Sequence, residues 1–286
     1  MLYRALLTAI ALVALPLSNA SAEVLDYAKY PNLKGQWNRF IVRGVAGQPS
    51  FDQTKSGGLA QKAPLTPEYQ AILEASVADQ ATGGLGDSEL HSRCSAAGMP
   101  WMMVAFRPLE FVISPETTYI LIADFDALRR IFTDGRDWPE TIEPTFQGYS
   151  IGRWIDEDGD GRYDVLQVET RAFKGPRLYD VTGLPLHRDN QSIFKERIFL
   201  DKADANVLHD EITVIDNALT RPWVVDKRYV RNADPRSEWP ESVCAEYNAW
   251  VFIEKQPYYL SSDGYLMPAK KDQGPPDLKY FKKARK

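Results

Sequence analysis

The chain has 286 residues, 44% hydrophobic and 26% charged, which is the balance of an ordinary globular protein and excludes a disordered or fibrous one. Acidic side chains outnumber basic ones 39 to 34, and the net charge of -5 argues against a nucleic-acid partner. The one basic cluster, KYFKKARK, closes a C-terminal tail over 269–286 and reads as solvated.

The first 22 residues have the pattern of a secretory signal peptide. Arg4 supplies the positive end, Ala5 to Leu17 the apolar run, and Ala20-Ser21-Ala22 the small-residue cleavage site before Glu23. The mature protein is therefore expected in the periplasm or outside the cell, after cleavage near Ala22. No later apolar run is long enough for a transmembrane segment. The oligomeric state is not readable.

GQWNRFIV, Gly35 to Val42, reads as a first strand. A helical insertion follows over about 64–84: Thr66 is a good N-cap, Pro67 takes the first helical position, and Gly83-Gly84 ends the helix. Tyr69, Ile72, Leu73 and Val77 form its apolar face. From Leu109 the pattern turns to strands: LEFVIS, TTYILIADF, LRRIFTD, SIGRWI, DVLQVETRAF, SIFKERIFLD, VLHDEITVID, RPWVVDKRYVR and CAEYNAWVFI. Turn signals such as DGDG, KGPR and DKADAN separate most of them. So many consecutive strands with short connections predict an antiparallel β-barrel, or a strongly curved sheet, as one domain over 23–268. Cys94 and Cys244 are the only two cysteines; in an oxidising compartment they are expected to form a disulfide.

The segments LRRIFTDGRDWP, TFQGYSIGRW, VLQVETRAFKGPRLYD and GLPLHRDN resemble those of a large family of exported bacterial β proteins, whose members carry an RRIYTDGR-like motif, then GxSIGRW, then VET or VDT. The resemblance covers most of the mature chain. It implies export and a β fold, and brings no reaction with it. The Gly-x-Trp of GQW is separately similar to the first-strand signature of lipocalin-like (calycin-like) barrels, although a Trp packing the barrel floor accounts for it equally.

Several strands carry charges in apolar rows. Alternation puts Glu196 on one face with Phe194, Ile198 and Leu200, and Arg153 on one face with Tyr149, Ile151 and Ile155. Arg130, Phe132 and Asp134 share a face, Glu169 alternates with Gln167, and Glu246 aligns with Cys244, Asn248 and Trp250. If these faces point inward, Tyr149, Arg153, Asp134, Arg130, Glu169, Glu196 and Glu246 line a barrel mouth able to bind a carboxylate, phenol or carbonyl, or to move a proton. The alternative is an Arg–carboxylate network that only fixes strand register. Among the three histidines, His187 lies in a loop after a strand and is the best general-base candidate. His91 and His209 complete the set. No two have zinc-ligand spacing.

DEDGDG fits D-x-D-x-D-G at Asp156, Asp158, Asp160 and Gly161, with Asp164 at the ninth position. The twelfth is Gln167 where an EF-hand needs Glu, and the flanks are strands, so two possibilities stay open: a hairpin holding a structural Ca²⁺, or an acidic turn. No nucleophile elbow, phosphate loop, dinucleotide fingerprint or haem-attachment motif occurs.

The leading expectation is an exported barrel enzyme that binds a small, partly apolar, aromatic substrate and performs acid–base chemistry of lyase or isomerase type with no required cofactor. The runner-up is a non-catalytic periplasmic carrier of a small apolar ligand. The third possibility is a structural envelope protein.

Overall fold

The computed structural model describes residues 25–39, 62–86, 94–96, 98–104, 107–124, 127–180, 183–241, 243–244, 249–253 and 256–276. The expected leader over 1–22, His91, Glu246 and residues 277–286 of the tail lie outside them.

Nine strands close into a barrel in chain order: β1 Trp37–Arg39, β2 Leu109–Ile113, β3 Thr117–Ile122, β4 Ala127–Phe132, β5 Tyr149–Ile155, β6 Val165–Arg171, β7 Ile193–Leu200, β8 Val207–Ile215 and β9 Trp223–Arg231. The helix α1, Pro67–Ala81, sits between β1 and β2, with Pro67 in its first turn and the Thr66 hydroxyl accepting from the Tyr69 N–H. The barrel with one helical insertion is the fold that the sequence pattern predicts.

Two features differ from that expectation. First, β4 and β5 run parallel, with Ile131 opposite Ser150 and Phe132 opposite Ile151. A parallel neighbour cannot be reached by a hairpin and requires a crossover back to the starting end. Residues 133–148 make that return and carry Trp138 across the outside of the barrel. Second, the strand expected over 244–253 does not enter the barrel. Within it, β10 Trp250–Ile253 joins β11 Gln256–Leu260 and β12 Leu266–Pro268 in a separate antiparallel sheet. The barrel is already closed by pairing of β9 with β1, so no free edge remains for it.

Alternation then sorts the side chains. Ile120, Ile122, Ile131, Leu166, Val168, Phe194, Ile198, Ile212 and Val225 point inward and are almost fully buried. Each such side chain stabilises the fold by about 1.5–3 kcal/mol. The outward rows of β5–β9 are charged: register aligns Arg153, Gln167, Arg197, Glu211 and Asp226.

One end of the barrel is closed by the segment before β1. Trp37 is fully buried there, donates from its indole N–H to the Leu33 carbonyl at 3.0 Å, and lies 4.2 Å below the Arg231 guanidinium. Tyr30 packs on Trp154 and Tyr163 of the β5–β6 hairpin. The other end is covered by α1. Tyr69 and Leu73 are its buried apolar residues, and the Thr66 N–H and Pro64 carbonyl bond to the chain around Ala218 and Thr220 at 2.8 Å. Cys94 and Cys244 form the expected disulfide, with Cα atoms 5.6 Å apart, and tie the insertion to the chain beyond β9. Among the described residues, no helix is long and apolar enough to cross a membrane.

Candidate functional site

Inside the barrel, alternation along β7 does place Glu196 inward, between Phe194 and Ile198, at 2% exposure. Its partner is Arg129 on β4, the arginine next to the predicted Arg130. Arg129 donates through Nη1 to Glu196 Oε1 at 2.8 Å and through Nη2 to Oε2, and Nη2 also reaches Thr170 Oγ1 at 3.1 Å. Ser150 Oγ lies 2.9 Å from that hydroxyl. Burial opposes the arginine's charge, but the adjoining Glu196 carboxylate outweighs it and holds the guanidinium above its ordinary pKa. Both oxygens of Glu196 are thus committed to a fork–fork pair that bridges the barrel.

A second inward pair escaped sequence reasoning. Asp210 on β8 and Lys227 on β9 are directly opposite in register, and both are buried. Among the described residues, neither Asp210 oxygen nor Lys227 Nζ has a hydrogen-bond partner, and the same holds for the Tyr179 hydroxyl and the Trp223 indole N–H. The four groups adjoin: Nζ of Lys227 is 4.7 Å above the Tyr179 ring, whose centroid is 4.7 Å from that of Trp223. Burial, with the neighbouring Glu196 charge, pushes the Asp210 carboxyl well above the usual carboxylate range. Burial lowers the Lys227 amine to about 8 against the opposing pull of Asp180 and Asp210. The signal was the one that found Glu196: Leu208, Asp210, Ile212 and Val214 alternate, as do Trp223, Val225, Lys227 and Tyr229.

The remaining candidates point the other way. Arg153 is exposed and Tyr149 half-buried on the outer face, so neither joins Glu196. Their row is bulky, and the inner row of β5 consists of Ser150, Gly152 and Trp154. The interior has no room for larger groups there: a Cβ on Gly152 would lie 2.7 Å from Ile131 Cγ2. Arg130 likewise points outward, over the Phe132 ring at 5.1 Å. Asp134 pairs with Arg136, whose hydrogen bonds draw its carboxyl down to about 2. Arg136 in turn lies 3.9 Å over Phe132 and 3.4 Å from the Tyr149 hydroxyl. Glu169 pairs with Arg171 and, at 3.7 Å, with Lys195. Arg171 stacks over Trp138 at 4.7 Å.

Of the predicted residues, Arg153 and Glu169 share a groove outside the barrel, while Arg130, Asp134 and Tyr149 gather separately around Phe132 and Arg136 on the outer face. The crossover and the sheet enclose an open groove of about 460 Å³, within the ordinary range of small-molecule sites. Trp138, Ile151, Arg153, Glu169, Arg197 and Glu211 are among its lining residues. Arg197 is paired with Glu157 at 2.7 Å, whereas the side chains of Arg153 and Glu211 make no ion pair or hydrogen bond with a described residue.

His187 stands apart from both clusters. Its Nδ1 lies 2.9 Å from Asp189 Oδ1, its ring packs 5.1 Å from Tyr69, and its backbone N–H donates to Asp216 Oδ1 at 2.9 Å. Glu196, Tyr149 and Arg153 are not among its contacts.

At the β5–β6 hairpin, Asp156, Asp158 and Asp164 bring one oxygen each within 4.8 Å of the others. Asp160 is not in this group; its carboxylate accepts from the Arg162 N–H at 2.8 Å. Asp156 accepts from the Gly159 and Gly161 N–H groups at 2.7 and 2.9 Å, and Gly161 supplies the positive φ of +87° that the bend requires.

Comparison with protein-family models finds no match for this chain, and comparison with curated proteins finds none either.

Proposed function

We propose that this is an exported β-barrel protein that binds a small, partly aromatic anion in the groove under the crossover. The observation that carries the proposal is the uncommitted guanidinium of Arg153 in a groove walled by the Trp138 indole and Ile151. A planar fork without a partner suits a carboxylate or phosphate, and the apolar wall suits a ring. The disulfide fits an oxidising compartment, which supports export. Benzoate and benzyl alcohol, titrated calorimetrically, test the proposal. Benzoate is expected to bind more tightly, and Arg153→Gln to weaken it by about 10- to 100-fold, the loss of one charge-assisted contact. Equal affinities for the two, or an unchanged affinity in the variant, would refute it.

Catalysis in the same groove has one supporting observation. Glu211 is also uncommitted, three strands from Arg153, or about 14 Å at the usual spacing, so that one ring-sized molecule fits between them. Arg153 would hold the anion and Glu211 would act as the base in lyase or isomerase chemistry; Glu196, locked by Arg129, takes no part. Deuterium exchange into a bound acid, lost in Glu211→Gln, is the expected sign, and its absence leaves binding alone. A structural Ca²⁺ at the β5–β6 hairpin is proposed on the convergence of its three carboxylates.

A further inference from the structure

The barrel interior contains two buried charge pairs that differ in kind. Arg129 and Glu196 are joined by two hydrogen bonds and Arg129 also reaches Thr170, so that of this pair's side-chain atoms only the arginine Nε lacks an acceptor. Asp210 and Lys227 face each other across adjacent strands, and neither side chain has a hydrogen-bond partner among the described residues. Buried polar groups in native proteins are nearly always satisfied, so four adjoining side chains with orphaned atoms require a reason beyond packing.

We propose that Lys227 is an amine nucleophile that takes a small aldehyde or ketone as a Schiff base inside the barrel, with Asp210 as the proton donor. The Tyr179 ring below the amine would stabilise the resulting iminium cation, and the Tyr179 hydroxyl and Trp223 N–H are free to donate to the carbonyl oxygen. The charged or titratable groups that act on Lys227 are Asp210 from β8, Tyr179 and Asp180 from the chain after β6, and Arg39 from β1. In this setting burial shifts the amine and the carboxyl each toward the neutral form. The lone pair of the neutral amine forms the N–C bond while the carbonyl π pair moves to oxygen. One proton passes from nitrogen to that oxygen. The C–O bond then breaks as Asp210 protonates the departing hydroxyl, the nitrogen lone pair closes C=N, and the products are a protonated imine, a carboxylate and one water. Nothing is oxidised or reduced.

Reductive trapping tests the assignment on the native, disulfide-bonded protein. Acetaldehyde and sodium cyanoborohydride are added at pH 7, and the labelled lysines are mapped by peptide mass spectrometry. At pH 7 about a tenth of an amine titrating near 8 is neutral, against about three in ten thousand at the ordinary lysine value. Lys227 is therefore expected to be labelled more than about tenfold faster than the exposed Lys34 and Lys202. Asp210→Asn should slow labelling at Lys227 and leave the exposed lysines unchanged. Labelling of Lys227 only after unfolding would overturn the proposal and leave the pair a structural one. Unchanged labelling in Asp210→Asn would remove Asp210 from the chemistry. Because the readout is a map on the unmodified chain, it does not depend on whether a Lys227 variant folds.

Discussion

Replacing Glu196 with Gln keeps the shape of the side chain and removes its charge. In the folded protein this leaves the Arg129 guanidinium at 1% side-chain exposure with Thr170 and one amide oxygen as acceptors, and no counter-charge on its former partner. Removing one partner of a buried pair costs about 3–5 kcal/mol, chiefly because the other charge is left uncompensated. A domain of this size has about 5–15 kcal/mol in total, and each kcal/mol moves its melting temperature by about 2–4 °C. The expected drop in melting temperature is therefore about 6–20 °C. Glu157→Gln is the control: its pair with Arg197 is 34% and 44% exposed, and such a pair contributes at most about 1 kcal/mol. Urea titration at pH 7 with the disulfide intact, comparing midpoint and slope, measures both variants. Arg129→Met combined with Glu196→Leu should lose less than the two single losses added together, since neither charge is then stranded. A Glu196→Gln loss no larger than that of the control, or strict additivity in the double variant, would show that the bridge across the barrel is not the buried ion pair described.

Other outcomes follow from the same structure. Lys227 is depressed in the fold from 10.5 to about 8, so the stability linked to it is present above pH 10.5 and is lost as pH falls through about 8. At pH 7 that burial costs roughly 3 kcal/mol, and Lys227→Met should raise the melting temperature there and lose this advantage near pH 11; a less stable variant at pH 7 would contradict it. Denaturing thiol titration without reductant should find no free thiol at Cys94 or Cys244. Reduction should cost about 5 kcal/mol for a bridge spanning 150 residues in the chain-entropy treatment, measured as a fall in the urea midpoint. Millimolar Ca²⁺ should raise the melting temperature, and Asp158→Ala should abolish the shift; no shift in the parent protein would leave the hairpin an acidic turn.

Much of the fold was legible because local signals agreed with it. Thr66 and Pro67 start α1 as their chemistry requires, and the β-branched and aromatic runs become β2–β9. The parallel β4–β5 pair was not legible: TDGRDWPETIEPTFQG has the glycines and prolines of a turn, and nothing local says that it crosses to the other end. Strand parity was readable throughout, since Tyr149 and Arg153 do share a face, as do Phe194 and Glu196. Which face is inward is a tertiary property. On β5 the small side chains Ser150 and Gly152 face in because Ile131 and Leu166 fill the space, so the apolar row that looked like core is the outer one. On β4 the two adjacent arginines part company, Arg129 inward with Ile131 and Arg130 outward with Phe132. Asp210 and Lys227 carried the same alternation signal as Glu196, but Glu211 and Asp226 beside them gave their strands the look of a solvated face.

The seam of the barrel has a consequence for how the chain assembles. Among the described residues, β1 pairs with β9 at three positions, and with β2 only through Trp37 and Leu109. The hairpins from β5 to β9 each close on a near neighbour and can form as soon as they emerge. The first strand to be synthesised cannot acquire its main partner until the last barrel strand exists. Its backbone groups must wait, unpaired, while the rest of the wall is built, and ring closure is the slow, long-range event. The same seam can later part without undoing a single hairpin, so the earliest amide exchange in the finished barrel belongs along the β1–β9 edge.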